Sequence, residues 1–288
     1  MDWIIGLQKA IDYIEENLTE TIDYEMVAAQ SFSSSFHFQR VFSILCGFTI
    51  GEYIRNRRLS LAGTELATSD AKVIDIAIKY GYESPDSFAK AFQKFHGILP
   101  SQARNDGSKL KSYSRLVLKF SLEGGTIMNY RIEEKQQLTL LGHKVKCEGS
   151  PTNTESTYNL TRTHWLTSKA IQRKLKEVRT TNPVWYDIYS DFTNDEFTHV
   201  IAVDTNTQTP DSDLEIVNVP KHLYAIFETK RCESPDDEWL PLMKRIVSEW
   251  LPATDYMISN HPQINKLYFD KDHSKRYMEI WVPIEKNN

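Results

Sequence analysis

A chain of 288 residues, 40% of them hydrophobic, is long enough for about two domains with buried cores. It holds no run of about 18 apolar residues, which excludes a helical membrane span, and its start, MDWIIGLQKAIDYIEENL, lacks the basic, apolar and small-residue blocks of a secretory signal. Three cysteines, Cys46, Cys147 and Cys232, are too few and too scattered for a metal set or a disulfide framework, which fits a reducing cytoplasm, and a net charge of −5 disfavours a nucleic-acid binder only when averaged over the whole chain.

The charge is uneven. Residues 1–25 carry seven acids and one cation, Lys9, whereas residues 26–110 carry ten Lys or Arg against seven acids, including RNRR at 55–58. Local cations, not the chain total, set phosphate contacts.

The first hundred residues read as helices. Ile4, Ile5, Ala10, Ile11, Ile14 and Leu18 follow helical spacing. Asp23 is placed to cap a second helix holding Met26, Val27 and Ala28, and the serines at 33–35 a third through FHFQRVFSIL, ending before Gly47. A long helix spans roughly 50–67. Asp70 is placed to cap the next, which ends at Gly81, and Ser84 another that carries Pro85 at its first position. The pattern is a short helix, a tight turn and a second short helix, seen twice, with Phe38, Arg40 and Phe42 returning as Phe88, Lys90 and Phe92.

These residues carry a resemblance. AAQSFSSSFHFQRVFSILCGFTIGEYIRNRRLSLA and VIDIAIKYGYESPDSFAKAFQKFHGILPSQAR resemble the AraC/XylS-type DNA-binding domain, with two departures: Phe32 replaces a turn glycine, and Ala103 stands where an aromatic is usual. The resemblance implies two recognition helices set into successive major-groove segments, about 34 Å apart, with the long helix between them as spacer. Matched by position, Ser35, Phe36, Gln39 and Arg40 on the first reader, and Asp86, Ser87 and Lys90 on the second, are the candidate DNA contacts. Arg40 suits guanine and Gln39 adenine through paired hydrogen bonds, Phe36 a thymine methyl. Asp86 is placed either to accept from cytosine or to cap its helix, with the cap favoured. RNRR reads as a helix face whose Arg55 and Arg58 pair with acids and neighbouring elements.

After a polar stretch, the periodicity changes to strands. Two strands within 130–145, the helix LTSKAIQRKLKEV and the strands VWYDIY and THVIAVDT are followed by a second such set. Ile132 matches Ile216 at an offset of 84, and Val200 matches Ile280 at 80. The expected architecture is an all-α tandem helix-turn-helix domain (1–106), a linker (107–126) and an α+β domain (127–288) built from a duplicated strand-strand-helix-strand unit around a pseudo-twofold. MNYRIEEKQQLTLLGHKV, YAIFETK and YMEIWVPIEK resemble the GyrI-like effector-binding domain of multidrug-sensing regulators.

Aromatic faces attract organic cations. Trp185, Tyr186, Tyr224, Trp239, Tyr268 and Trp281 are the candidate ligand-binding residues, with Glu279 as charged anchor, since alternation puts it on one face with Tyr277 and Trp281. His261 in SNHP is either a turn residue or a site residue. The combined reading is a cytoplasmic one-component transcriptional regulator, not an enzyme, that binds double-stranded DNA and senses a small cationic, aromatic or lipophilic effector. RNA polymerase is a further candidate partner, and no cofactor, metal or membrane is expected. The alternatives make the second domain a small-molecule hydrolase with Glu279 as base, or a protein-binding module.

Overall fold

The computed structural model describes residues 2–105, 107–118, 127–148, 154–180, 184–193, 196–206 and 212–286. Contacts divide the chain into two units: Met1–Phe38 with Thr49–Glu123, and Gln39–Phe48 with Gly124–Asn288. No helix among the described residues is long and apolar enough to cross a membrane.

The first hundred residues fold as α1 (Asp2–Glu16), α2 (Tyr24–Ala29), α3 (Ser35–Cys46), α4 (Ile50–Thr68), α5 (Val73–Lys79) and α6 (Pro85–His96), followed by a 3-10 turn at Pro100–Gln102. Asp23 caps α2 by accepting from Glu25 N at 2.9 Å, and Ser34 caps α3 by accepting from His37 N at 3.3 Å. Thr49 and Glu52 form a reciprocal capping box on α4. Asp70 does not cap α5; the helix starts later, with Lys72 at the N-cap and no side-chain bond. On α6 the cap is Ser84, which accepts from Ser87 N at 3.2 Å, so the expected capping role of Asp86 is already filled.

Leu59, Ala62 and Leu66 of α4 meet Ile76 and Ala77 of α5 and Phe88 and Phe92 of α6 in one buried cluster, which Ala103 joins. The close approach of α4 and α6 depends on Gly63, since a Cβ there would lie 2.6 Å from the His96 ring. His96 Nε2 sits 2.9 Å from Leu59 O and its Nδ1 accepts from Lys111 N at 3.1 Å. This arrangement needs the neutral ring, and burial lowers its pKa accordingly. The sequence reads 107–118 as linker, yet this stretch is tied to the helices: Tyr113 N donates to Ser60 Oγ at 2.9 Å and Leu116 N to Tyr53 Oη at 3.0 Å. The rest of the expected linker, 119–126, and Asp106 lie outside the described residues. Of RNRR, Arg57 forms a two-pronged pair with Glu15 of α1 (2.8 and 2.7 Å), and Arg58 donates to the carbonyls of Leu18 and Glu20.

The second unit contains β1 (Tyr130–Lys135), β2 (Leu138–Glu148), α7 (Thr154–Thr167), α8 (Lys169–Val178), β3 (Val184–Ser190), β4 (Glu196–Val203), β5 (Glu215–Val219), β6 (His222–Glu228), α9 (Trp239–Arg245), β7 (Tyr256–Ile258), β8 (Gln263–Tyr268) and β9 (Tyr277–Lys286). The expected basic helix is α8, and α7 before it was not foreseen. The sheet order is β1-β6-β9-β8-β3-β4-β2-β5, with β7 on β9. Every pairing is antiparallel and the order reads as a palindrome. Leu138 pairs with Val219, and His222 with Lys135, so each partner in the second pair is the first displaced by 84. Leu141 pairs with Val203 and Ala225 with Val282, which moves the last strand by 79 and matches Val200 to Glu279, one residue from the expected Ile280. Each repeat also carries a second strand after its helical segment, one more than the predicted unit. For β3 and β8 the displacement is 78, and the two strands pair directly, so Asp187 opposite Asn265 lies on the pseudo-twofold axis.

The two helix-turn-helix turns share one geometry but not one residue. Ser33 N bonds Ala28 O at 3.3 Å as Tyr82 N bonds Ala77 O at 2.9 Å. The residues closing these turns are Phe32 at φ 52 and Gly81 at φ 81. Left-handed backbone costs a residue with a Cβ roughly 1–2 kcal/mol, and Phe32 recovers little by burial because it is 79% exposed. Phe32→Gly is therefore expected to stabilise the helical unit by about 0.5–1 kcal/mol after the greater chain entropy of glycine is deducted. A urea melt followed at the helical signal checks this, and a lower midpoint would show that the ring makes a contact worth more than the strain.

Candidate DNA-reading helices and axial cavity

Residues on a helix three or four apart share a face, and α6 sorts accordingly. Phe88 and Phe92 are buried, while Asp86, Ser87 and Lys90 are exposed. On α3, Phe38 and Phe42 are buried, as expected. Ser35, Phe36 and Gln39 are half-buried. Arg40 is buried rather than open: within the second unit, as contacts delimit it, its guanidinium bonds the Gln263 side chain and lies 5.1 Å from the Phe192 ring centre. Burial lowers its pKa to about 10.

The sheet of the second unit has two faces, and the seven candidate ligand residues divide between them. Tyr186, Tyr224 and Trp281 belong to a buried cluster against which Tyr268 packs, and alternation puts Glu279 on the same face. Here Glu279 accepts from Arg131 Nη2 at 2.6 Å and from Trp281 Nε1 at 2.8 Å. Lys266 Nζ lies 5.3–5.7 Å from the ring centres of Tyr268, Tyr186 and Trp281, and Lys135 Nζ lies 4.7 Å from that of Trp281. The aromatic faces around Glu279 are thus already engaged by the protein's own cations. Trp185 and Trp239 stand on the other face, with the helices.

On that helical face, a cavity of about 360 Å³ opens over the axis, walled by Tyr158 and Trp165 of α7, Tyr189, Trp239, Phe269 and Met278, with Arg162, Asp236 and Asn265 as polar members. The two indoles bond the two residues that face each other across the axis. Trp165 Nε1 donates to Asp187 Oδ1 at 3.0 Å, and Trp239 Nε1 to Asn265 Oδ1 at 3.3 Å.

Asp187 is fully enclosed, and burial alone would raise its pKa. His199, by charge and hydrogen bond, with the Tyr189 hydroxyl (2.8 Å) and Trp165, outweighs burial and leaves the carboxyl below its ordinary value. A chain of imidazoles extends behind it: His199 Nδ1 is 2.8 Å from His164 Nδ1, and His164 Nε2 is 2.9 Å from His143 Nδ1. An ionised Asp187 only accepts, so the proton between the two groups sits on His199 Nε2. A neutral His164 completes the chain, accepting at one ring nitrogen and donating from the other. Burial, with His199 and His143 adding, pushes the His164 pKa down to about 3, in keeping with this neutral ring. Asp236 is open to solvent on one side and crowded by protein on the other; this crowding, Asp187 and Asp237 raise its pKa to about 6. Sequence reasoning missed Asp187, Asp236, Trp165 and the histidines. The acid inside VWYDIY was the one available signal. His261 stacks on His222 with centroids 3.6 Å apart, away from this cavity.

Residues 27–106 match a family model described as a helix-turn-helix domain, and residues 131–284 one described as an integron-associated effector binding protein. Over 98 residues the chain is 43% identical to the HTH-type transcriptional activator AarP of Providencia stuartii, covering 34% of this chain and 73% of AarP. It is 36% identical over 99 residues to the regulatory protein SoxS of Salmonella typhimurium, covering 34% of this chain and 92% of SoxS. Among solved structures, that of SAV2435 bound to tetraphenylphosphonium covers 55% of this chain and 94% of its own, at 16% identity and a TM-score of 0.45. With both segments matched and the tandem reader helices in place, the chain belongs to the AraC-type transcriptional regulators that carry a GyrI-like effector-binding domain.

Proposed function

We propose that this regulator reads its operator with α3 and α6 and takes its effector, a small cationic or aromatic molecule, into the axial cavity. The observation that carries the second part is the cavity itself, walled by the indoles of Trp165 and Trp239, which bond the two residues that face each other across the axis, Asp187 and Asn265. Stacked aromatic walls suit flat or cationic ligands, and a few fixed polar groups orient them. Of the seven residues expected from sequence, Trp239 lines this cavity; Tyr186, Tyr224, Tyr268, Glu279 and Trp281 form a second group on the opposite face, and Trp185 stands with the helices.

On the DNA side, the proposed contacts are Ser35, Phe36 and Gln39 from α3, and Asp86, Ser87 and Lys90 from α6; Arg40, buried on Gln263, joins them only if that bond is released. The exposed face of α6 supports the second set. As spacer, the 19 residues of α4 span about 28 Å at 1.5 Å each, the right scale for two adjacent groove segments. RNA polymerase is proposed as a protein partner because the relative AarP is an activator, and the cytoplasm as the compartment because that is where a bacterial-type regulator meets DNA. The second domain is read as a binding module without catalysis, in line with the regulators its first domain resembles.

Two measurements test the reading. Lys90→Ala is expected to weaken specific and random DNA alike and to reduce the salt slope by about one unit, as loss of one phosphate contact does; an unchanged slope would remove Lys90 from the interface. For the effector, a thermal-shift screen with aromatic cations finds a ligand, and a product assay on each hit checks for hydrolysis. Trp239→Ala is then expected to weaken binding about tenfold, which is about 1.4 kcal/mol and lies between an exposed and a desolvated cation–aromatic contact. Glu279→Gln, on the other face, is expected to leave it within about twofold; the reverse pattern would move the effector to the Glu279 face.

A further inference from the structure

The helix α8 of the first repeat carries an uneven charge. It holds Lys169, Arg173, Lys174 and Lys176 against one acid, Glu177. At 3.6 residues per turn, Lys169, Arg173 and Lys176 fall within about 60° of one another. Ile171, Leu175 and Val178 lie roughly opposite, and Leu175 is fully buried. The apolar side holds α8 on the unit and leaves the three cations to solvent, where all three are exposed.

Elsewhere in this unit exposed cations are matched by acids. Lys144 pairs with Glu215, Lys146 with Glu196 and Lys221 with Glu134. On α8 itself, Lys174 pairs with Asp213 at 2.6 Å. Lys169, Arg173 and Lys176 have no ion pair among the described residues, and Glu177, at the edge of the stripe, closes none with Arg173. The fold does not require this stripe. In the second repeat, residues 246–262 lead into β8 as α8 leads into β3, and they include Glu249 and Asp255 but no Lys or Arg.

A row of unmatched cations suits a polyanion of regular spacing. From Lys169 to Lys176 the helix rises about 10.5 Å at 1.5 Å per residue. Over that length one strand of double-stranded DNA presents about three phosphates. A small anion would meet one or two of these side chains, whereas a DNA strand engages all three. The matched helix-turn-helix domain already brings DNA to this chain.

We propose that Lys169, Arg173 and Lys176 form an additional DNA-contacting surface, on the effector unit, that holds backbone phosphates without reading bases. It rests on the chain being a DNA binder and not on which side chains of α3 and α6 read the operator. Phosphate contacts carry no sequence information, so the stripe adds affinity and salt dependence and leaves specificity to the reader helices.

The experiment is fluorescence anisotropy of the full chain on a random-sequence duplex of about 40 base pairs, between about 50 and 200 mM salt. Lys169→Gln, Arg173→Gln and Lys176→Gln combined are expected to reduce the slope of log K against log salt by about 2–3 units and to weaken low-salt binding at least about tenfold. The charge-keeping set Lys169→Arg, Arg173→Lys and Lys176→Arg is expected to retain the wild-type slope. Lys144→Gln with Lys146→Gln, which removes cations already paired, is expected to leave it within about half a unit. Melting curves are expected to match for all variants, since the three side chains are exposed. An unchanged slope in the Gln triple variant, or an equal loss in the Lys144 and Lys146 pair, would overturn the proposal while leaving α3 and α6 as readers. Loss of binding to phosphatidylserine vesicles with an unchanged DNA slope would assign the stripe to a lipid surface instead. Failure of the wild type to bind the duplex at all would count against DNA binding itself.

Discussion

A carboxylate at the centre of a sheet is expensive unless it is fully hydrogen-bonded. Asp187 is such a group, and much of the second unit is organised around satisfying it. His199 on β4, Tyr189 on its own strand and Trp165 on α7 each give it a hydrogen bond. These bonds pin α7 to the sheet on one side of the axis, as the weaker Trp239–Asn265 bond pins the start of α9 on the other. The space between two helices held apart in this way is the cavity. Removal of the acid would therefore alter more than charge: Trp165 and the imidazoles would lose the acceptor that fixes their orientation.

The helical unit solves a different problem with the same economy. Its helices are short, and isolated helices of this length are marginal in water. Most of their stability must come from the shared core of α4, α5 and α6 and from caps that satisfy the helix ends. The spacer α4 is held at several points, by Arg57 on Glu15 and by Arg58 on the Leu18 and Glu20 carbonyls. Tyr53 Oη donates to Glu15 at 2.6 Å while accepting from Leu116 N. A spacer that sets the distance between two DNA readers has to be rigid, and these bonds make the basic cluster RNRR chiefly a structural feature.

What the sequence revealed depended on how local the cause was. Caps at Asp23 and Ser84, the breaks at Gly47 and Gly81, and the Phe88–Phe92 stripe follow from residues a few positions apart, and they were legible. The duplication was legible for the same reason, although the register moved one offset from 80 to 79. The imidazole chain was not legible: His143, His164 and His199 are 21 and 35 residues apart and meet only because β2, α7 and β4 are brought together. Alternation put Glu279 on the right face with Trp281, but its partner Arg131 is 148 positions earlier, out of reach of any pattern argument.

Both units repeat an element, and in both the two copies differ at one residue that occupies the same place in a shared geometry. In the helical unit Phe32 stands where the second copy has Gly81, with the same turn and the same bond to the alanine before it. In the effector unit Asp187 faces Asn265 across the axis. Neither difference changes the fold, because the backbone geometry is set by pairings that both copies keep. Each changes what the copy presents: an exposed ring in one turn, a charge on one side of the axis. Two enclosed acids in contact would force one to remain protonated. One acid and one amide avoid that repulsion, so the single buried charge at the centre of the sheet comes from breaking the symmetry that built it.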